Sequence, residues 1–133
     1  MTPQELIENF SLLTDWEDKY RYLIELGEQL APYPDQDKDE QHLVHGCQSQ
    51  VWITHQKQGD KFFFQATSDA IIVRGLEAVL LVLINGKTAK EIQEIDIVSI
   101  FNQLGLQEHL SPSRRNGFSA MTNRILALTL SDQ

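Results

Sequence analysis

Cysteine is almost missing from this chain. Of 133 residues only Cys47 carries a thiol, so no disulfide can close within it. That fits a reducing compartment and excludes the stapled architecture of small secreted domains. Basic residues are scarce as well. Eleven Lys and Arg stand against nineteen Asp and Glu, a net charge of −8. This balance argues against a general nucleic-acid binder and favours a soluble protein with a basic or mixed-charge partner. The longest apolar stretch, near residues 70–84, is interrupted by Arg74 and Glu77 and is too short and polar to span a bilayer. Met1 to Phe10 holds acids and no apolar run, so no secretory signal is expected and a cytoplasmic protein is. There is no Cys-x-x-Cys pair, no phosphate loop and no Gly-x-Ser-x-Gly elbow.

What is present describes one globular domain, residues 1–133. Hydrophobic residues make up 41% and charged residues 23%, enough apolar material for a core without disorder. Thr2, Pro3 and Glu5 form the start signal of a first helix, with Leu6, Ile7, Phe10 and Leu13 as its stripe. Thr14 or Asp15 caps a second helix carrying Trp16, Tyr20, Leu23, Ile24 and Gly27. Pro32 and Pro34 end that pattern, and Asp35, Asp37, Asp39 and Glu40 form a solvated acidic loop without the glycine and glutamate of a calcium loop.

Alternation at Gln50–Thr54, a turn at Lys57–Asp60 and a returning run at Phe62–Thr67 predict a hairpin. His42 to His45 is expected to add a third short strand. Ser68 or Asp69 then caps a buried central helix, Ala70 to Ile84, which stops at Asn85-Gly86. Thr88 to Glu91 is a capping box opening a short helix, Ile97 to Leu104 is another, and Ser111-Pro112 starts a last helix with Phe118, Met121, Ile125 and Leu128 on one stripe. Helices, an antiparallel sheet, then helices give an α+β layer fold.

Chemistry is sought first at Cys47. Gly46 before it permits an unusual backbone angle, and Gln48, Ser49 and Gln50 offer hydrogen bonds without charge. A single Cys is by default a small buried hydrophobe, and its spacing alone leaves the reactive reading open beside that one. Reactivity requires the thiolate, so a group that lowers its pKa is expected nearby. Arg114 and Arg115 sit in the first turn of the last helix, where cations oppose the dipole; one of them is a candidate to face the thiol. Asp69 is a candidate cap that could serve a second role. His42, His45 and Cys47, with His55 or His109, have metal-ligand chemistry. An extended 42–47 segment points His42 and His45 to opposite faces, so no metal is expected. A cysteine hydrolase would need a paired histidine and an oxyanion hole. Finally, a reactive Cys47 has no resolving thiol within the chain, which favours a relay over a self-contained redox enzyme.

Val44-His45-Gly46-Cys47-Gln48-Ser49-Gln50-Val51-Trp52 resembles the signature of the SufE/CsdE sulfur-acceptor proteins of iron–sulfur cluster assembly. Trp16-Glu17-Asp18-Lys19-Tyr20, Ile24-Glu25-Leu26-Gly27, Ser68-Asp69-Ala70, Gly75-Leu76, Leu110-Ser111-Pro112-Ser113-Arg114 and Gly117 to Met121 fall in the same order. The resemblance implies helices packed on one side of a small three-stranded antiparallel sheet, similar to the scaffold protein IscU but without its cluster-holding cysteines. It implies a sulfur carrier rather than a free-standing enzyme. By that resemblance the chain is expected to accept persulfide sulfur on Cys47 from a cysteine desulfurase of the SufS or CsdA type, to stimulate that partner, and to pass sulfur to a SufBCD-type scaffold. PLP belongs to the desulfurase, so no cofactor is expected here, and the expected state is a monomer or weak homodimer. Arg114, Asp69, Gly46 and Gln48 are the implied supporting residues. The rival readings are a cysteine hydrolase and an allosteric desulfurase activator that relays no sulfur.

Overall fold

A computed structural model describes residues 1–132. Its order is α1 (Pro3–Ser11), α2 (Trp16–Glu28), β1 (Val51–Gln58), β2 (Lys61–Ser68), α3 (Ile71–Ile84), β3 (Lys87–Thr88), α4 (Ala89–Glu94), α5 (Ile97–Gln103) and α6 (Pro112–Ser131). Single 3₁₀ turns occur at Asp35–Asp37 and Gln107–His109. The start signals act as the residue types require. Thr2 with Glu5, and Thr88 with Glu91, form reciprocal capping boxes. The Ser111 hydroxyl accepts the Arg114 N–H at the head of α6. Asp15 is the N-cap position of α2.

The sheet is antiparallel in the order β1-β2-β3. Gly59, at a φ of +64°, and Asp60 make a two-residue turn, so Gln58 pairs with Lys61 and Val51 with Ser68. The third strand is not where the sequence pattern suggested. Residues 42–45 contribute one bridge, Leu43 to Trp52, flanked by Val44 N–H to Val51 C=O and Ile53 N–H to His42 C=O. Gly46, at a φ of +93°, turns the chain away before a ladder can form. The third strand is instead Lys87–Thr88, on the opposite edge of β2. Just before it, the Asn85 side-chain amide accepts from Phe64 N–H and donates to Phe64 C=O, standing in for one strand residue. This satisfies part of an edge that would otherwise be open.

Val51, Ile53, Phe62, Phe64 and Ala66 form the buried face of the sheet, on which the helices pack. Phe63 points the other way and is exposed. Central to the helical layer is α3, whose Ile72, Leu76, Val79, Leu80, Leu83 and Ile84 are almost fully buried. On α6 the buried stripe is Phe118, Met121, Ile125 and Thr129. Leu128, expected on that stripe, is only partly covered, while the Thr129 hydroxyl satisfies itself on Leu126 C=O.

The α2–α3 crossing is unusually close. A Cβ on Gly75 would strike the Leu23 carbonyl, and one on Gly27 would lie 2.7 Å from the Gly75 nitrogen. Both obstacles are backbone, which cannot rotate aside. Gly75→Ala is therefore expected to lower unfolding stability by about 1–3 kcal/mol, in the range of overpacking defects. Urea denaturation of the two proteins checks this, and an unchanged midpoint contradicts it.

Candidate functional site

Cys47 sits on the loop between the Leu43 bridge and β1. Positive φ at Gly46 turns the side chain of the next residue inward, toward the first half of α6. There the thiol lies 3.7 Å from the Gly117 carbonyl oxygen, to which it donates. Gly117 is buried within α6, and a Cβ there would come 3.8 Å from the sulfur. The helix glycine thus leaves about a methyl group's room beside the thiol.

Beneath the loop is a cavity of about 380 Å³. Ile72, Val73 and Leu76 of α3 form one wall and Phe118 and Met121 of α6 another, with Cys47, Gln48 and Ser49 lining the loop side. Arg114 and Ser113 complete it from the start of α6.

Five hydrogen bonds to four residues distant in sequence hold the loop in place. Arg124 donates to the Gln41 carbonyl at 3.0 Å, before the bend. After it, the Gln50 N–H reaches the Asp69 carboxylate at 3.1 Å, and the Asp69 N–H returns to the Gln50 carbonyl at 3.3 Å. The Ser113 hydroxyl donates to Gln48 Oε1 at 2.6 Å, and the thiol itself contacts Gly117. Asp69 does not cap α3, contrary to the capping expectation. Ala70, whose methyl cannot accept a hydrogen bond, occupies the N-cap position, and the Asp69 carboxylate one residue earlier accepts from Gln50 instead. The Ser68 hydroxyl does accept the Ala70 N–H, closing the turn from strand to helix.

Arg114 lines the cavity with Cys47, and its guanidinium lies 6.0 Å from the centre of the Tyr20 ring on α2. Arg115 turns toward the Gln107 carbonyl. The expected lowering of the thiol pKa is absent from this arrangement. Burial pushes the Cys47 thiol upward, and the Glu77 carboxyl adds to the rise. A carbonyl acceptor also favours the protonated sulfur. The tucked position therefore holds a neutral thiol.

The histidines are engaged elsewhere. His42 Nδ1 lies 2.6 Å from Asp39, a contact that lowers the Asp39 pKa. His45 is near Glu40 at 3.6 Å, His55 pairs with Asp132 at 3.0 Å, and His109 stacks on Trp16. Among the described residues no group of three His, Cys, Asp or Glu side chains could hold a metal.

Three contributors escaped the sequence reading: Arg124, Ser113 as a partner of Gln48, and Glu77. The first two look like ordinary helix-surface residues. Glu77 left a signal, an acid inside the most apolar run. It is 1% exposed, and neither carboxylate oxygen has a hydrogen-bond partner among the described residues. Burial raises its pKa to about 9, against a smaller opposing pull from Arg74.

The family model described as "SufE: Fe-S metabolism associated domain" matches residues 4–129. The chain belongs to the SufE family. An uncharacterized SufE-like protein of Rhizobium meliloti (strain 1021) is 45% identical, over 91% of this chain and 89% of that protein. The solution structure of a hypothetical protein from Thermus thermophilus has a similar fold, with a TM-score of 0.78, covering 98% of this chain and 97% of that one at 24% identity. SufE membership places the chain in iron–sulfur metabolism. No helix among the described residues is long and apolar enough to cross a membrane.

Two outcomes are expected. Asp69→Ala frees one end of the loop, so Cys47 should react with iodoacetamide several-fold faster at fixed pH; an unchanged rate would show that the clamp does not control access. For Glu77, the unfolded chain releases its proton near 4.5 and the folded protein near 9. Between those values the unfolded state binds fewer protons, so stability falls as pH rises. Urea midpoints across this window should fall less steeply in Glu77→Gln than in wild type.

Proposed function

We propose that this SufE-family chain is a sulfur carrier that accepts persulfide sulfur on Cys47 from a PLP-dependent cysteine desulfurase of the SufS or CsdA type. The observation that carries the reading is the tucked thiol: the chain's sole cysteine, aimed by Gly46 into a cavity with spare volume beside Gly117. A structural cysteine has no use for that space. A carrier does, because an added sulfur must be kept from solvent reductants between donor and acceptor.

In the transfer, the Cys47 thiolate attacks the terminal sulfur of the desulfurase persulfide. A bond forms from Cys47 Sγ to that sulfur, the partner's S–S bond breaks, and the partner cysteine leaves as thiolate. The tucked thiol is a poor nucleophile, since burial and Glu77 both hold its proton in place. Attack accordingly belongs to a swung-out loop, in water or in the partner's site, where those influences fade. Gln48–Ser113 and Gln50–Asp69 are the contacts that must give way or adjust, and Arg114 beside them is placed to read the change. After loading, the loop returns the sulfur to the cavity until a SufBCD-type scaffold or another thiol collects it. PLP is the partner's cofactor, and this chain works in the cytoplasm as a transfer accessory, monomeric or weakly dimeric.

A hydrolase reading has little support in the geometry. The thiol's hydrogen-bond partner is a carbonyl, and each histidine is occupied with another group. The test incubates the protein with a desulfurase and L-cysteine and weighs it by mass spectrometry. One added sulfur on wild type and none on Cys47→Ser is expected. No added sulfur on wild type removes the carrier reading. Full stimulation of the desulfurase by Cys47→Ser would instead favour an activator that relays nothing.

A further inference from the structure

Arg114 is a cation without an anionic partner. Its backbone N–H is held by Ser111, but among the described residues its guanidinium makes no hydrogen bond and no ion pair. Two acids stand on α2 between Trp16 and Tyr20, yet Asp18 pairs with Arg21 at 3.5 Å and neither reaches Arg114. What the guanidinium meets is a ring. Its central carbon lies 6.0 Å from the centre of Tyr20, while the same side chain lines the Cys47 cavity.

The Tyr20 ring is itself set from behind. Trp16, one turn earlier, meets it edge to face at 5.7 Å with the planes at 71°, and His109 stacks on Trp16 at 4.8 Å. His109 closes the 3₁₀ turn that leads into α6, and Arg114 is the third residue of that helix. Two side chains of α2 thus meet the head of α6 at two points. The same head carries Ser113 and Gly117, which bond the Cys47 loop. The Tyr20 hydroxyl makes no hydrogen bond among the described residues, so its contribution is the face of the ring.

We infer that Tyr20 is a positioning residue for Arg114: its ring face holds the guanidinium at the Cys47 cavity with the N–H donors left free for an anionic sulfur. A carboxylate would hold an arginine by consuming its donors and cancelling its charge. A π face attracts the same cation through the ring quadrupole, leaving the charge uncancelled and the in-plane donors unspent. Trp16 and His109 keep the ring from turning away. The identity of the anion, a Cys47 persulfide, rests on the carrier reading; presentation of the guanidinium to the sulfur is tested without it.

The experiment uses the intact protein and no desulfurase. Cys47 is alkylated in low salt by iodoacetate, an anion, and by iodoacetamide, its neutral counterpart, and the ratio of the two rates is taken. Both reagents meet the same thiolate on the same loop, so changes in stability, access or thiol ionisation cancel and local charge moves the ratio. Arg114→Ala sets the floor. Tyr20→Leu should lower the ratio about threefold toward that floor, the factor an exposed cation–π contact sustains. Tyr20→Phe should keep the wild-type ratio. An unchanged ratio in Tyr20→Leu or in Arg114→Ala overturns the inference, as does a loss in Tyr20→Phe equal to that in Tyr20→Leu. Should Tyr20→Leu fail to fold in a thermal melt, the Arg114 Hδ and Hε resonances of wild type decide. Upfield displacement by the Tyr20 ring supports the contact, and ordinary positions refute it. A protein that takes up no sulfur yet gives the expected ratios would lose the carrier reading and keep the Tyr20 assignment.

Discussion

The close crossing of α2 and α3 is the constraint on which the remaining architecture depends. With no Cβ at Gly27 or Gly75, the two backbones meet where side chains would normally intervene. That contact fixes the depth of α3 in the core. From this depth Ile72, Val73 and Leu76 form the cavity wall, and Tyr20 on α2 comes within range of Arg114 on α6. An α3 displaced outward by a methyl group would carry the cavity wall with it. The site is therefore built from the core outward: two glycines, then a helix, then a cavity, then a loop laid across it.

That loop shows how a polar segment can be ordered without regular structure. Its backbone is not paired in a ladder beyond a single bridge. Order comes from side chains supplied by α6 and by the β2–α3 junction, each meeting one group of the loop. Such exposed hydrogen bonds are individually modest, on the order of 0.5–1.5 kcal/mol. A segment held this way opens far more easily than the core beneath it. Low local stability here is compatible with a thiol that must be both hidden and handed over.

Much of this was legible in the residues. Capping boxes at Thr2 and Thr88, the Ser111-Pro112 start and the Gly59-Asp60 turn act locally, so sequence spacing reveals them. The string around Cys47 identified the family because its residues are set by chemistry as well as by packing. The third strand was misplaced for a reason of the same kind. Leu43 and Val44 have strand character and reach the free edge of β1, but Gly46 turns the chain away after one bridge, and the third strand forms on the far edge of β2 at Lys87–Thr88. Asp69 was ambiguous between cap and clamp because its rival partner, Gln50, lies nineteen residues away. Glu77 was visible as an acid in an apolar run, yet only packing shows that no hydrogen bond among the described residues meets its carboxylate.

The partners of the Cys47 loop lie far along the chain: Ser113 is 65 residues from Gln48, Gly117 is 70 from Cys47, and Arg124 is 83 from Gln41. Contacts of such separation form late, since the entropy of closing a long loop must be met before they are gained. During synthesis the cysteine emerges from the ribosome well ahead of the helix that covers it. A nascent chain consequently displays its sulfur without cover, and concealment of the thiol becomes a report that α6 has docked and folding is complete.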